Sequence, residues 1–181
     1  MKNTIFISGT PCTGKTTVSE LLASRLDCRL IKINDLAIEN DFILGIDSEK
    51  GYKVIDIDAL DEKVLDIIES SDEMLIFEGH LSHLCHGADK VMILRVRPEI
   101  LEGRLRGRDY SESKIRENLE AEAMGVCSAE AYEIYGEDVS EIDVSDLTVD
   151  EIVENLCSFI SGRRTFSFGE IDFLDWLIGS G

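Results

Sequence analysis

The sequence predicts an α/β fold, three layers built around a five-stranded parallel sheet, and three observations carry that expectation. Apolar, β-branched runs alternate along the chain with segments of helical period. Each helical segment carries a single apolar stripe, enough to pack one face against a sheet. A glycine-punctuated loop joins the first strand-like run directly to the first helical one.

The strands are expected at Thr4 to Ser8, Arg29 to Ile33, Met74 to Phe77, Lys90 to Val96 and Val139 to Val144. Val18, Leu21, Leu22 and Leu26 share a helical face after the first strand, and Leu60, Val64, Ile67 and Ile68 share another before the third. Two helical crossovers between parallel strands are thereby accounted for. Pro98 suits the first turn of a helix through Leu105, where its missing N–H costs no hydrogen bond. A short basic turn, Arg106 to Ser111, precedes a long charged helix beginning near Glu112. Thr148-Val-Asp-Glu151 reads as a capping box opening a helix whose Ile152, Leu156, Phe159 and Ile160 face inward.

Gly45 to Lys53 is polar and interrupted by glycine, and with the basic turn it is a candidate mobile segment. The end of the chain differs in character, with Phe166, Phe168, Ile171, Phe173, Leu174, Trp176, Leu177 and Ile178 set in an acidic background. It is expected to dock on the body or on a partner, with Phe173, Trp176 and Leu177 along one side of an amphipathic helix. The predicted organisation is one domain over residues 1–162 and a docking tail over 163–181.

Length and composition limit the functions available. A chain of 181 residues with 44% hydrophobic content supports one well-buried domain. No apolar run approaches the ~20 residues needed to span a bilayer, and no cleavable leader is expected, so a cytoplasmic protein without a membrane role is predicted. Five scattered cysteines without a Cys-x-x-Cys pair argue against a disulfide framework and a thiolate zinc site. A net charge of −19 disfavours direct binding to naked nucleic acid, whose phosphates repel it, and is compatible with a basic protein partner or with solubility alone.

The first chemical motif is Gly9-Thr-Pro-Cys-Thr-Gly14-Lys15-Thr16-Thr17, which matches Gly-x4-Gly-Lys-Ser/Thr in its required setting between a strand and a helix. Such a loop turns its backbone N–H groups inward on a polyphosphate and adds the partial positive charge of a helix N-terminus. The expected ATP-binding residues are Cys12, Thr13, Gly14, Lys15, Thr16 and Thr17. Lys15 would reach the outer phosphates and Thr16 would place its hydroxyl on Mg²⁺. The fold class sharpens accordingly to a P-loop NTPase. Cys12 lies in the positive field of the loop, so it is either an oxidisable thiol or a small side chain that fits.

The second motif is an apolar strand that ends in Glu78-Gly79-His80, at the sheet edge where open α/β folds bind ligands. Glu78 is a candidate for holding Mg²⁺ directly or through water, and His80 for orienting a water or a phosphate. His80, His83 and His86, with Cys85, also raise a transition-metal site, although their spacing matches no zinc motif. The third motif is Arg104-Leu-Arg106-Gly-Arg108-Asp-Tyr110. Arginines on a closing lid stabilise charge on a transferring phosphoryl group, whereas a solvated basic turn on an acidic surface is the plainer reading.

With these residues in place, the chain resembles the adenylate kinase isoenzyme 6 family, also called coilin-interacting nuclear ATPase, in its archaeal form. The likeness covers approximately residues 3 to 161. It rests on Gly9-Thr-Pro-x-x-Gly14-Lys-Thr-Thr17, Asn34-Asp35-Leu36-Ala37, the acid-x-His of Glu78 and His80, Arg104-Leu105, Arg108-x-Tyr110 and Asn118-x-x-x-Glu122. The resemblance implies a nucleoside monophosphate kinase fold with a short lid. It places a monophosphate-binding region at about 33–56, containing Asp35 and Leu36, and the lid at about 107–117, with Arg108 on ATP and with Arg104 and Tyr110 belonging to the same lid group. It implies Lys15, Glu78, His80 and Arg108 as catalytic residues, Mg²⁺ with ATP as cofactor, and AMP as acceptor.

The same resemblance implies ATP hydrolysis and a role in small-subunit ribosome maturation with a basic ribosomal protein as partner. An ATP-hydrolysing assembly switch is therefore the alternative to a dedicated kinase. A small-metabolite kinase such as one for shikimate fits less well, because no glycine triplet follows the third strand. Three positions depart from the family pattern. Cys12 stands for a loop glycine, a change that should be tolerated if its backbone stays in a non-glycine conformation, Glu78 for the aspartate of eukaryotic members, and Ile38 for an arginine of some members.

Overall fold

The computed structural model of the chain describes residues 3–46 and 53–179. Its centre is a five-stranded sheet made of β1 (Thr4–Ser8), β2 (Arg29–Lys32), β5 (Leu75–Glu78), β6 (Lys90–Arg95) and β7 (Val139–Asp143), in the order β2-β5-β1-β6-β7. All four pairings are parallel, with Phe6 opposite both Phe77 and Val91. The predicted fold class is the observed one.

Side chains alternate across each strand, so the sheet separates two apolar cores. Ile5, Ile7, Ile76, Met92 and Leu94 face one side, against α1 (Lys15–Leu26), α4 (Pro98–Arg106), α5 (Glu112–Ala123) and α7 (Val149–Ile160). Phe6, Leu75, Phe77, Val91 and Ile93 face the other, against α2 (Ile33–Glu39), α3 (Ile57–Glu69) and α6 (Val126–Tyr135). Full burial of an aliphatic or aromatic side chain contributes roughly 1.5–3 kcal/mol, so these doubly covered strands dominate the stability.

The helices begin where the sequence supplies caps. Asp56 accepts from the Ala59 N–H at α3, Ser111 accepts from the Lys114 N–H at α5, and Thr148 and Glu151 close a reciprocal capping box at α7. Pro98 occupies the first turn of α4. Among the described residues no helix is long and apolar enough to cross a membrane.

At a few places the elements differ from those expected. Ile33 begins α2 instead of ending β2, because the ladder of this edge strand stops where Lys32 faces Glu78, the last residue of its partner. Two short antiparallel strands that the sequence did not announce, β3 (Ile43–Ile46) and β4 (Lys53–Ile55), flank the segment read as a candidate for mobility; strands this short carry no readable period, and residues 47–52 of that segment lie outside the described residues. The charged helix begins at Glu112 as expected and ends at Ala123, and a separate helix follows Gly125, which takes a left-handed φ of 65°. In the tail, α8 (Asp175–Gly179) is shorter than expected and Phe173 precedes it.

The described part of the tail touches the body. Phe166 packs edge-on against Phe159, Phe168 stacks on Tyr132 at 4.4 Å, and the Phe173 ring lies under the Arg95 guanidinium at 5.2 Å. Trp176 is half-buried against the first core. Leu174 and Ile178, on the opposite side, remain exposed.

Candidate functional site

The loop from Gly9 to Gly14 connects β1 to α1 at the C-terminal edge of the sheet, with β5 and β6 on either side. Gly9 sits at φ 140°, and a Cβ there would lie 2.5 Å from the Leu94 carbonyl oxygen, so the loop can cross β6 only as glycine. Cys12 has a left-handed φ of 69°, so the condition under which a side chain is tolerated there without strain is not met. The loop keeps the glycine-type backbone although a side chain is attached, at a cost of roughly 1–2 kcal/mol.

Lys15 opens α1 and is 7% exposed. Its Nζ donates to the carbonyls of Gly9 at 2.8 Å and Thr10 at 2.9 Å, and reaches the Thr13 hydroxyl at 3.5 Å. Burial lowers its pKa below the ordinary lysine value, opposed by the fields of Cys127 and Glu78. The ammonium is thus held at the centre of the loop, where the charge of a phosphate would offset its desolvation.

Thr16 and Thr17 are exposed in the first turn of α1. The Thr16 hydroxyl donates to Glu78 Oε1 at 3.1 Å, which brings the two predicted metal-associated oxygens together. Glu78 ends β5 and is 5% exposed. Burial raises its pKa, against the Thr16 hydrogen bond and the charge of Lys15. A hydroxyl and a carboxylate beside a phosphate loop are oxygen donors of the kind that magnesium takes along with water and phosphate, so these residues fit Mg²⁺.

His80 follows two residues later. Its pKa is lowered to about 4, first by burial and then by Lys15, His83 and Lys114, so the imidazole is neutral near pH 7. The three histidines do not converge. His83 is 1% exposed and bridges the Ser8 hydroxyl at 2.7 Å and Glu130 at 2.9 Å, while His86 pairs with Asp61 at 2.8 Å. Among the described residues no three histidine, cysteine or acidic side chains are grouped to hold a metal.

The arginines of the basic turn separate by environment. Arg104 lies on α4 with Nη1 3.3 Å from the Thr13 carbonyl and 3.5 Å from that of Cys12, beside the loop. Arg106 is turned away, bonded to Glu102 at 2.8 Å and Glu112 at 2.6 Å. Arg108 is exposed in the turn between α4 and α5, and Tyr110 next to it carries the Lys114 ammonium 4.2 Å above its ring. Asp35 is exposed on α2, whereas Leu36 is buried in the second core.

Sequence reasoning gave no site role to Thr10 or to the ion pair behind it. The Thr10 hydroxyl donates to Glu122 Oε2 at 2.5 Å, and Glu122 is 2% exposed. The signal was present in the helical period, since Ile115, Leu119 and Glu122 fall on one stripe of α5. An acid on an apolar stripe is a request for a buried partner.

The family described as AAA domain matches residues 5–125. Curated relatives carry the name "putative adenylate kinase". That of Methanothermobacter thermautotrophicus is 41% identical over 97% of this chain and 99% of its own. That of Archaeoglobus fulgidus is 38% identical over 96% and 93%, and that of Halobacterium salinarum 34% identical over 96% and 99%. Among solved structures, shikimate kinase from Bacteroides thetaiotaomicron aligns with a TM-score of 0.62 at 16% identity, covering 88% of this chain and 98% of its own. Thymidylate kinase from Candida albicans aligns with a TM-score of 0.57 at 14% identity, covering 90% and 92%. At those identities the likeness to both concerns the fold.

Proposed function

The chain belongs to the family of archaeal proteins named "putative adenylate kinase", and from that premise we propose that it transfers the γ-phosphoryl group of ATP to a nucleoside monophosphate, AMP first. The observation that carries the reading is the convergence on one loop of a buried lysine, a threonine hydroxyl 3.1 Å from a strand-end carboxylate, and an arginine beside the loop carbonyls. Phosphoryl transfer needs positioning and charge stabilisation more than covalent help, and these groups supply both.

In this mechanism a phosphate oxygen of AMP attacks the γ-phosphorus, the bond to the β–γ bridging oxygen breaks, and both nucleotides leave as ADP. The backbone N–H groups from Cys12 to Thr17 hold the phosphates of ATP. Lys15 exchanges its two loop carbonyls for phosphate oxygens, which also relieves the desolvation of its charge. Thr16 and Glu78 would hold Mg²⁺, directly or through water; when bound it neutralises charge on the β- and γ-phosphate oxygens. Arg108, exposed in the short lid at 107–117, swings onto the phosphates on closure, with Arg104 already alongside and Tyr110 bracing the turn. Asp35, in the 33–56 region, contacts the acceptor nucleotide near Leu36. The 1–162 body would be the catalytic domain, with 163–181 docked on it in the cytoplasm.

A coupled assay of ADP formation from ATP alone and with AMP, dAMP, CMP, UMP or GMP tests the reading. AMP stimulation with two ADP per ATP consumed is expected, and ADP formation indifferent to every monophosphate would sink it. Lys15→Met should lower that activity by two orders of magnitude or more with little change in melting temperature.

A second reading rests on His80, a half-buried neutral imidazole near Lys15 that can accept a proton from an attacking water. In it the chain is an ATP-hydrolysing switch in ribosome biogenesis and rRNA processing, and a basic small-subunit ribosomal protein is the partner that its charge of −19 suits. ATP turnover stimulated by such a protein, and unmoved by AMP, would favour the switch over the kinase.

A further inference from the structure

Glu122 belongs to a buried ionic chain that begins at the phosphate loop and ends beneath the tail. Its Oε2 accepts from the Thr10 hydroxyl at 2.5 Å. Its Oε1 accepts from Arg95 Nε at 2.9 Å and from the Val96 N–H at 3.0 Å, and its backbone carbonyl accepts from Arg95 Nη2 at 2.8 Å. Arg95 Nη1 then donates to Glu141 Oε1 at 2.6 Å. The side chains of Arg95, Glu122 and Glu141 are 4%, 2% and 1% exposed. Two carboxylates share one guanidinium, an arrangement whose desolvation cost makes it a poor device for stability alone.

Its geometry supplies another purpose. Thr10 is the second residue of a loop that works only while its N–H groups point inward. Glu122 lies 112 residues away, on the last turn of α5, and ties that loop residue to the end of β6. A fixed carboxylate drawing on the Thr10 side chain from outside resists rotation of the loop backbone. From this arrangement we infer that Glu122 is a positioning residue of the phosphate loop, acting through Thr10 and held in place by Arg95 and Glu141.

The inference rests on the loop's binding of nucleotide phosphates and is indifferent to which acceptor follows. Thr10→Val removes the donor to Glu122 and keeps the shape; Thr10→Ser restores the donor. Two readouts are used. Without nucleotide, amide hydrogen exchange over residues 9–14 should quicken about tenfold in Thr10→Val and return toward the original rate in Thr10→Ser, the size expected for loss of one charge-assisted hydrogen bond. With nucleotide, the Kd of a fluorescent ADP and the KM for ATP should rise about tenfold while the KM for AMP stays put.

Glu122→Gln should behave as Thr10→Val does if it folds, and the two Thr10 variants decide the matter if it does not. Loop exchange and ADP affinity within twofold of the original in Thr10→Val would overturn the inference. So would a Thr10→Ser chain no better than Thr10→Val. Absence of AMP-dependent ADP formation in the unmodified protein would instead remove the kinase reading, with the exchange measurement still deciding the role of Glu122.

Discussion

His80 shows how a single side chain reports the environment of the site. Its folded-state pKa, about 4, lies below the ordinary 6.5 because burial and the nearby Lys15 oppose a second positive charge. A depressed histidine contributes stability that is complete above the unfolded value and is lost as pH falls toward the folded one. Between about pH 7.5 and about pH 5, His80 should therefore cost the protein about 2 kcal/mol. Urea denaturation at the two pH values checks this, with His80→Gln as the comparison so that the contribution of His83 cancels. A wild-type chain no more acid-sensitive than His80→Gln would show that the imidazole is solvated. Cys12 carries the opposite lesson. A side chain there is free of strain only on an ordinary backbone, yet the loop imposes a left-handed one, because the path from β1 to α1 is set by where phosphate-directed N–H groups must lie.

At the scale of elements, the turn between α4 and α5 contains arginines that look equivalent in sequence and are not in space. Arg106 is committed to Glu102 and Glu112, so its removal alters only an exposed pairing. Arg108 is exposed in the turn and is the one that the proposed lid would bring to the phosphates. Arg108→Ala should lower kcat by about a hundredfold, as expected for a cation that acts on the transferring group, while Arg106→Ala stays within about twofold. Steady-state kinetics on the two variants decides it, and equal losses would dissolve the distinction. The hairpin of β3 and β4 and the break at Gly125 were not legible beforehand. Strands of three or four residues show no period, and a glycine after an apparently continuous helical pattern does not announce a left-handed turn.

For the whole molecule, the governing quantity is a net charge of −19 on 181 residues. The acidic groups repel one another through a solvent whose screening length is ~10 Å at 0.1 M salt and ~3 Å at 1 M. Relief of that repulsion favours the compact state, so the melting temperature should rise between about 0.05 M and about 1 M sodium chloride at fixed pH. A flat or falling series would mean that the ion pairs on the surface, such as Arg25 with Asp150, outweigh the repulsion. The tail also belongs to this scale. Its aromatic residues stand out in the sequence, but not its course over Phe159, Tyr132 and Arg95, which are contributed by α7, α6 and β6.

By itself the sequence determined the α/β class, the five parallel strands, and the loop carrying Lys15 and Thr16, because strand period, helical stripe and glycine spacing are local properties that survive in one dimension. It also placed Glu78 at a strand end. Only the tertiary structure decided which of these groups meet: Thr16 with Glu78 across 62 positions, and Thr10 with Glu122 across 112. It separated Arg104 from Arg106 and His80 from His83 as well. The reason is physical. The partner that satisfies a buried polar group is chosen by the packing of distant elements, and a residue's own neighbours in the chain carry no record of it.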